Sequence, residues 1–452
     1  MTSKIVVNNI ESDSGISSVT FTSDIELGTK NLKGHNLEST GIVTAVSFTG
    51  SGANLTNIPA GNLSGTLPAL DGSALTGVGL GTDGSANTSG IITATAFVPT
   101  TGQLSHRNLI INGDMMVAQR GTSSTTTSGY NVVDRFFTNA SNFDQLAATI
   151  SQDSESPDGF AKSLKWATTT PETTVDSNES LYIGYKFEGQ DLQQLNYGGS
   201  SATEFTISFY VKTSITGTYS LTIFRDEPGT DRICTRTYTV PDTNWHRYTF
   251  TVAGDTSRVI QNDNSSRMRL MFHIAAGSDY TSSTSSTWVN YGSSYFAGGH
   301  ATNGVVTTDN ATFYLTGVQL EVGPLATPFE HRSFADELKL CQRYCYVLCE
   351  GLNKPIGNGT YWTTSSVFCP VHFPVQMRSA PSMTVANDGS NYWYGWFRDG
   401  TGNNEKGDNW SLAISAIQGA EIYDPAASGT AGHSCFGRSI DASGKITFNS
   451  EL

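Results

Sequence analysis

Apolar and polar side chains alternate in Phe205-Thr-Ile-Ser-Phe-Tyr-Val211 and again in Tyr219-Ser-Leu-Thr-Ile-Phe224. Successive side chains of a β-strand point to opposite faces, so each run predicts a strand with one buried face. The alternation recurs in Ile233-Cys-Thr-Arg-Thr-Tyr-Thr-Val240, Tyr248-Thr-Phe-Thr-Val252, Met268-Arg-Leu-Met-Phe-His-Ile274 and Thr312-Phe-Tyr-Leu-Thr-Gly-Val-Gln-Leu-Glu-Val322. Turn residues separate the runs, which predicts an antiparallel jelly-roll β-sandwich over residues 106–332.

The chain after the sandwich begins with a helix signal. Ser333-Phe-Ala-Asp336 is typical of a capping box, and Leu338, Cys341 and Cys345 would share one face of a helix within residues 333–350. Strand patterns follow in Ser366-Val-Phe-Cys-Pro-Val-His-Phe373, Ser411-Leu-Ala-Ile-Ser-Ala-Ile417 and Lys445-Ile-Thr-Phe448. We therefore predict a short helix and a second, small β domain over residues 333–452.

Residues 1–105 contain neither Trp nor Tyr and are repetitive. Gly41-Ile-Val-Thr-Ala-Val-Ser-Phe48 returns as Gly90-Ile-Ile-Thr-Ala-Thr-Ala-Phe97, and Gly52-Ala-Asn-Leu-Thr-Asn-Ile58 returns as Gly72-Ser-Ala-Leu-Thr-Gly-Val78. A repeat that cannot bury its apolar face alone needs a neighbour. We predict an elongated shaft in which the neighbour is another subunit, most simply in a homotrimer. A flexible linker is the alternative.

The charge balance limits the partners. Lys and Arg number 26 against 40 Asp and Glu, a net charge of −14. Nucleic-acid binders usually carry a basic stripe, so no nucleic-acid partner is expected. The sequence has no apolar run of the ~18 residues that a membrane span needs, so no membrane insertion is expected. Six cysteines without a CxxC pair predict free thiols.

The local catalytic and cofactor signals in the sequence are weak. Gly79-Leu-Gly-Thr-Asp-Gly84 fits the Gly-x-Gly-x-x-Gly pattern of nucleotide sites, but it lies in the repeats, where no strand pattern leads into it and no helix pattern follows it. Neither a Gly-x-Ser-x-Gly elbow nor a phosphate-binding loop occurs, and no two histidines stand two or four residues apart. Asp153-Ser-Glu-Ser-Pro-Asp158-Gly159 weakly resembles a calcium loop, but Pro157 replaces an expected oxygen ligand, which favours an acidic turn. Cys341, Cys345 and Cys349 are interpreted as small buried residues, with a metal cluster as the alternative. We expect no cofactor, no catalytic residue and no local metal motif, while a structural calcium elsewhere stays open.

Two loops combine aromatic residues with Ser, Gly and Asn, a composition typical of binding loops. Flat rings beside hydrogen-bonding groups suit a sugar ring or a protein surface. For Trp393 and Trp396, the alternatives are a strand core or a subunit interface. The predicted glycan-binding residues are Tyr280, Trp288, Tyr291, Tyr295, Asp388, Tyr392, Trp393, Tyr394, Trp396 and Trp410.

One stretch carries a family resemblance. Arg107-Asn-Leu-Ile-Ile-Asn-Gly-Asp-Met-Met-Val-Ala-Gln-Arg-Gly121 resembles the Asn-x-x-x-Asn-Gly-Asp-Met…Gln-Arg-Gly pattern of bacteriophage tail-fibre and related virion proteins. The repeats of residues 1–105 resemble fibre shafts from phages of marine cyanobacteria. Further matches are Tyr130, Asp134-Arg-Phe136, Gly317-Val-Gln-Leu-Glu-Val-Gly323, Ala326-Thr-Pro-Phe-Glu-His-Arg332, Glu337-Leu-Lys-Leu-Cys-Gln-Arg-Tyr344 and Phe373-Pro-Val-Gln-Met-Arg-Ser-Ala-Pro381.

The resemblance implies a trimeric fibre of the virion, assembled in the host cytoplasm and exposed on the particle surface. Its N-terminal region would bind other tail or baseplate proteins, and its middle domain would resemble carbohydrate-binding modules. The implied function is non-enzymatic recognition of host polysaccharide or lipopolysaccharide through the distal β domains. The alternatives are a purely structural head fibre, whisker or tail connector, and a glycan depolymerase. The motif residues Asn112-Gly-Asp114 and Gln119-Arg120 would be structural.

Overall fold

The computed structural model describes residues 105–386, 393–398, 404–407 and 410–452, together with the single positions 40, 42, 44 and 47. The predicted shaft, with its repeats and subunit contacts, lies outside the described residues apart from those single positions and Ser105. The strands and helices of the structure all belong to the unit Ala94–Leu452. Within the described ranges, no helix is both long enough and apolar enough to span a bilayer.

Residues 123–322 form two six-stranded antiparallel sheets. The first sheet has the order β1-β3-β4-β12-β6-β9 and the second has the order β11-β8-β7-β10-β5-β2. The strands are β1 Ser123–Ser124, β2 Phe136–Ser141, β3 Ala147–Asp153, β4 Ser163–Thr170, β5 Ser180–Glu188, β6 Phe205–Thr213, β7 Gly217–Arg225, β8 Arg232–Val240, β9 His246–Val252, β10 Ser266–Ala276, β11 Val289–Asn290 and β12 Thr312–Val322. Short helices lie at α1 Ser278–Thr281 and α2 Gly304–Thr307, and 3-10 turns lie at Gly189–Leu195 and Ser293–Tyr295.

The inward side chains of both sheets form one continuous core. Phe209 of β6 meets Phe272 of β10 edge to face, with 4.9 Å between the ring centroids. Trp166 of β4 is fully buried in the same cluster. Aromatic pairs of this kind combine a large buried area with a favourable ring geometry, and they join the two sheets into a sandwich.

The alternating runs are confirmed as strands β6 to β10 and β12, and the bounds of β12 coincide with the predicted run. β10 departs from simple alternation, because every residue from Leu270 to Ala276 is buried. A strand loses its alternation when both faces are covered. The segment 277–300, here named the covering segment, provides the second cover, since its Phe296 ring packs edge-on against His273 of β10 and against the cluster that contains Met271.

The helix prediction is confirmed at its start and wrong at its end. α3 spans Phe334–Gln342, and the Asp336 N–H donates to the Ser333 hydroxyl at 3.2 Å. Cys345 does not continue the helical face, because Cys345–Glu350 forms strand β13. Aromatic and β-branched residues favour a strand there, and pairing with a strand near the chain end satisfies the backbone. The thiols of Cys341, Cys345 and Cys349 are buried and free.

Residues 345–449 form a three-stranded sheet of order β13-β22-β16 and a seven-stranded sheet of order β18-β17-β21-β14-β15-β20-β19. The predicted runs around 366–373, 411–417 and 445–448 are confirmed as β15, β19 and β22. The strands are β13 Cys345–Glu350, β14 Pro355–Tyr361, β15 Val367–His372, β16 Ser382–Val385, β17 Tyr394–Phe397, β18 Asn404–Gly407, β19 Ser411–Ser415, β20 Gly419–Asp424, β21 Ser434–Ser439 and β22 Lys445–Asn449.

The stretch that resembles virion proteins has a structural role. The Asn112 amide donates to the carbonyls of Val117 and Asp134, and its oxygen accepts from the Val117 N–H. The Gln119 amide donates to Asp134 and, at 2.7 Å, to the carbonyl of Cys345. These bonds shape the first turn of the sandwich and tie it to β13, as the sequence prediction of a structural role expected.

Candidate functional site

The outer face of the first sheet carries an aligned set of polar and aromatic side chains. Cross-strand pairing sets Lys165 of β4 opposite Tyr314 of β12, and Tyr314 opposite Lys212 of β6. Ser151 of β3 extends the line beyond Lys165. Directly opposed residues of an antiparallel pair have Cβ atoms about 5 Å apart on the same face. We name Ser151, Lys165, Tyr314 and Lys212 the lysine–tyrosine row. The row also includes Trp245 and the two carboxylates that pair with its lysines, Asp153 and Glu155, which are described next.

Trp245 closes one end of the row. It lies in the turn between β8 and β9, immediately before His246, and its ring centroid is 6.0 Å from that of Tyr314 at an interplanar angle of 63°. The indole N–H donates to Glu155 Oε1 at 3.2 Å. Glu155 belongs to the turn between β3 and β4. The carboxylate thus joins two loops and fixes the orientation of the indole, which stays half-buried.

Both lysines of the row are paired. Lys165 Nζ lies 3.1 Å from Asp153 Oδ2, and Lys212 Nζ lies 2.8 Å from Glu155 Oε1. The Tyr314 ring lies between the two lysines. Its centroid is 5.3 Å from Lys165 Nζ of β4 and 5.9 Å from Lys212 Nζ of β6. The lysine side chains are 25% and 28% exposed. Cations within about 6 Å of a ring centroid are attracted by its quadrupole, so Tyr314 holds both stems in place.

The carboxylates of the row are held ionised. Hydrogen bonds from Lys212 and then Trp245 lower the pKa of Glu155. Partial burial alone would raise the pKa of Asp153, but the Glu155 N–H and the Lys165 ammonium outweigh it and lower that pKa. The row therefore combines ring faces with ionised, oriented polar groups.

The acidic turn of the sequence analysis supplies these carboxylates. Asp153 and Glu155 are engaged by lysines, and the Glu155 N–H donates to Asp153 Oδ1 at 2.9 Å. Across the part of the chain that the structure describes, no three His, Cys, Asp or Glu side chains gather as a metal-binding group.

The predicted aromatic residues at 280–295 lie on the opposite side of the sandwich, in the covering segment. Tyr291 is the most open, at 42% exposure, with its ring against Phe224. The Tyr280 hydroxyl donates to the Asn178 carbonyl, and the Trp288 indole donates to the Ala253 carbonyl. Tyr295 packs against the buried cluster of Phe137, Tyr182, Phe224, Ile233 and Met271. Most of this ring surface therefore stabilises the covering segment.

The predicted residues at 388–410 separate into two groups. Asp388 and Tyr392 lie outside the described residues. Tyr394, Trp396 and Trp410 are in the hydrophobic core formed by the strands of residues 345–449, with the ring centroids of Trp396 and Trp410 stacked 4.6 Å apart. The Trp396 indole donates to Asp424 Oδ2, and Trp393 is half-buried against the same core. For Tyr394, Trp396 and Trp410 the structure supports the strand-core alternative, because their rings are buried.

Sequence reasoning overlooked the lysine–tyrosine row. Tyr314 was within a predicted strand, on the polar side of its alternation. Its cross-strand neighbours depend on register, and no single strand specifies register. Trp245 carried a weak signal, because a Trp in a polar turn beside Asp242 and Asn244 is unusual for a core residue.

No protein-family model matches the chain, and no curated protein matches it. Among solved structures, the chain is similar to the enzymatically active domain of tailspike protein 4 of bacteriophage CBA120, with 11% identity over 48% of this chain and a TM-score of 0.26. It spans 21% of that tailspike chain.

Two carbohydrate-binding modules are also similar. A family 4 module shares 13% identity over 47% of this chain and 97% of its own, with a TM-score of 0.25. A family 11 module from Clostridium thermocellum, in complex with a β-1,3-1,4-mixed-linked tetrasaccharide, shares 10% identity over 46% of this chain and 98% of its own, with a TM-score of 0.23. At such TM-scores the similarities are partial, and they do not decide what this chain binds.

Proposed function

We propose that this chain is a non-enzymatic fibre protein of a bacteriophage particle that recognises host cell-surface glycan through the lysine–tyrosine row. The observation that carries the proposal is the row itself, in which Tyr314 and Trp245 stand half-exposed among fixed charged groups. Aromatic faces contribute apolar area, and convergent polar groups orient a ligand by hydrogen bonds. The sequence resemblance supplies the virion context, with the N-terminal region as the anchor.

Weak binding by one row suits such a fibre. Linked copies convert separate weak contacts into a multivalent attachment, provided that their spacing allows simultaneous engagement. A trimer would triple the net charge of −14, so attraction at a distance to an acidic envelope is unfavourable. Recognition would then rest on short-range contacts, which aromatic rings and hydrogen-bonding groups provide.

The depolymerase alternative finds no support in the row. Cleavage of a glycoside needs one carboxyl group that keeps its proton near neutral pH. The two carboxylates of the row, Asp153 and Glu155, have lowered pKa values because each accepts hydrogen bonds from neighbouring donors. The purely structural alternative differs from the proposal in one respect: it predicts no glycan binding.

The test compares Trp245→Ala with Tyr291→Ala in the full-length protein. Each substitution removes one partly exposed aromatic ring, the first from the row and the second from the covering segment. The measurement is retardation in native gels that contain barley β-glucan, mannan, galactan or alginate. We expect the unmodified protein to be retarded by at least one glycan, Trp245→Ala to weaken that affinity about tenfold or more, and Tyr291→Ala to leave it unchanged.

Three results would overturn the proposal. Retardation by none of the glycans would favour the purely structural alternative. Equal binding by the unmodified protein and Trp245→Ala would move recognition away from the row. Release of new reducing ends from the glycan would favour the depolymerase.

A further inference from the structure

Each positive charge on the lysine–tyrosine row is balanced by a neighbouring carboxylate. Lys165 is paired with Asp153, and Lys212 is paired with Glu155. The lysines and carboxylates come from neighbouring parts of the first sheet, so the balance is built into the strand register and the turn after β3. A ligand on the row therefore meets two compensated ion pairs.

Recognition of an acidic glycan would need a cation without a carboxylate partner. Carboxylates and sulfates are recognised by cations that are free to form charge-assisted hydrogen bonds. Here each ammonium already donates to a carboxylate, and an incoming anion would approach Asp153 and Glu155 as closely as the lysines. The guanidinium of Arg247, a residue of β9 that pairs with Tyr210 of β6, is also engaged. It donates to the Thr327 carbonyl at 2.7 Å and to the Ser208 hydroxyl at 3.3 Å.

The row offers both hydrogen-bond donors and acceptors to the hydroxyl groups of a neutral sugar. An ammonium has three donors, so each lysine keeps hydrogens for a hydroxyl after serving its carboxylate. Glu155 accepts at Oε1 from both Lys212 and Trp245, and no described side chain donates to its Oε2. Sugar hydroxyls both donate and accept, so they can use both partners of an ion pair, whereas an anion can use only the cation.

We propose that the lysine–tyrosine row selects uncharged glycans, and that Asp153 and Glu155 are the specificity-determining residues because they cancel Lys165 and Lys212. This inference rests on the proposed function of the same site. Glu155 has a second, positioning role, since its carboxylate orients the Trp245 indole.

The test uses the full-length protein and two probes, barley β-glucan as the neutral glycan and alginate as the acidic one. The variant Asp153→Asn/Glu155→Gln leaves both lysines uncompensated. The control Asp279→Asn/Asp309→Asn removes two exposed carboxylates away from the row. We expect the unmodified protein and the control to prefer β-glucan, with affinity little changed between about 50 mM and about 500 mM NaCl.

For Asp153→Asn/Glu155→Gln we expect at least about a tenfold gain in alginate affinity, lost again at the higher salt concentration. A second variant, Lys165→Gln/Lys212→Gln, removes the cations and should bind alginate no better than the unmodified protein. This variant keeps the test decisive if the first one folds poorly.

The outcomes separate the two proposals. Tight, salt-sensitive alginate binding by the unmodified protein would refute the selectivity and leave glycan recognition standing. The selectivity would also be overturned if the carboxylate variant, folded by circular dichroism, gained no affinity for alginate, or if the control gained as much. Failure of the unmodified protein to bind any glycan would instead refute the proposed function.

Discussion

The two outer faces of the sandwich carry similar residue types, but the aromatic rings are buried on one face and half-exposed on the other. Both carry tyrosines, lysines and an ion-paired carboxylate, since Arg269 of the second sheet pairs with Asp226 much as Lys165 pairs with Asp153 on the first. On the second sheet, the covering segment buries aromatic rings in a small core that includes Met271. On the first sheet, the rings of Tyr314 and Trp245 stay half-exposed. An aromatic surface thus becomes a core or a binding surface according to what the chain places over it.

One glycine illustrates how closely the outer face of the second sheet is packed. Gly184 of β5 stands opposite Phe137 of β2, and a Cβ atom at Gly184 would come within 2.3 Å of Phe137 Cζ. The ring occupies the space that a side chain would need. The row on the first sheet is more open, because the stems of Lys165 and Lys212 flank Tyr314 without enclosing it.

The largest expected difference between the faces is in stability. Met271→Ala would leave a cavity beneath the covering segment and should lower the free energy of unfolding by about 2–5 kcal/mol. Lys165→Ala on the open face should lower it by less than about 1 kcal/mol. Urea unfolding followed by tryptophan fluorescence measures both. Similar losses would mean that the two faces are packed alike, contrary to the comparison.

A smaller effect follows from two buried histidines, His273 of β10 and His300 at the end of the covering segment. Burial lowers the pKa of His300 to about 4, and burial, with repulsion from His300 second, lowers that of His273 well below its usual range. A histidine whose folded pKa is lowered stabilises the protein fully above pH 6.5, and that stability is lost as the pH falls towards 4. Between pH 6.5 and pH 5, protonation of His300 in the unfolded state alone should lower the free energy of unfolding by about 1.5 kcal/mol.

The measurement is the urea midpoint at the two pH values, for the unmodified protein and for His300→Gln. The variant should lose less stability on acidification. Glycan binding by the row should persist over the same interval as long as the protein stays folded, because the pKa values of Asp153 and Glu155 are lowered. Equal acid sensitivity of the variant and the unmodified protein would contradict the assignment to His300.

The smallest expected effect is the coupling between Lys165 and Asp153. A double-mutant cycle with Lys165→Met and Asp153→Asn should give about 0.2–1 kcal/mol, because both side chains are about a quarter exposed and solvent screens the pair. The readout is the free energy of unfolding in low salt. A coupling of zero would mean that the lysine is not held in place, which would weaken the contrast between an ordered row and an ordinary solvated surface.

The sequence was informative wherever local pattern determines structure. Alternation located β6 to β10 and β12, and Ser333 with Asp336 located the start of α3. The sequence pattern gave the wrong secondary structure or exposure where contacts with residues distant in sequence determine it. Residues 345–350 pair with β22 and become a strand, and Trp396 is buried by a core assembled from several strands. Composition identified aromatic-rich loops but not which rings stay exposed, because exposure depends on the covering segment and on cross-strand register.

The position of β12 has a consequence for how the protein is made. β12 lies in the middle of the first sheet, between β4 and β6, yet it is the last strand of the sandwich in chain order. During synthesis from the N-terminus, the facing edges of β4 and β6 stay unpaired until residues 312–322 have left the ribosome. Unpaired edges invite association between nascent chains, and contacts between distant segments form slowly. Nascent chains paused before residues 312–322 emerge from the ribosome should therefore aggregate more than chains paused after these residues have emerged.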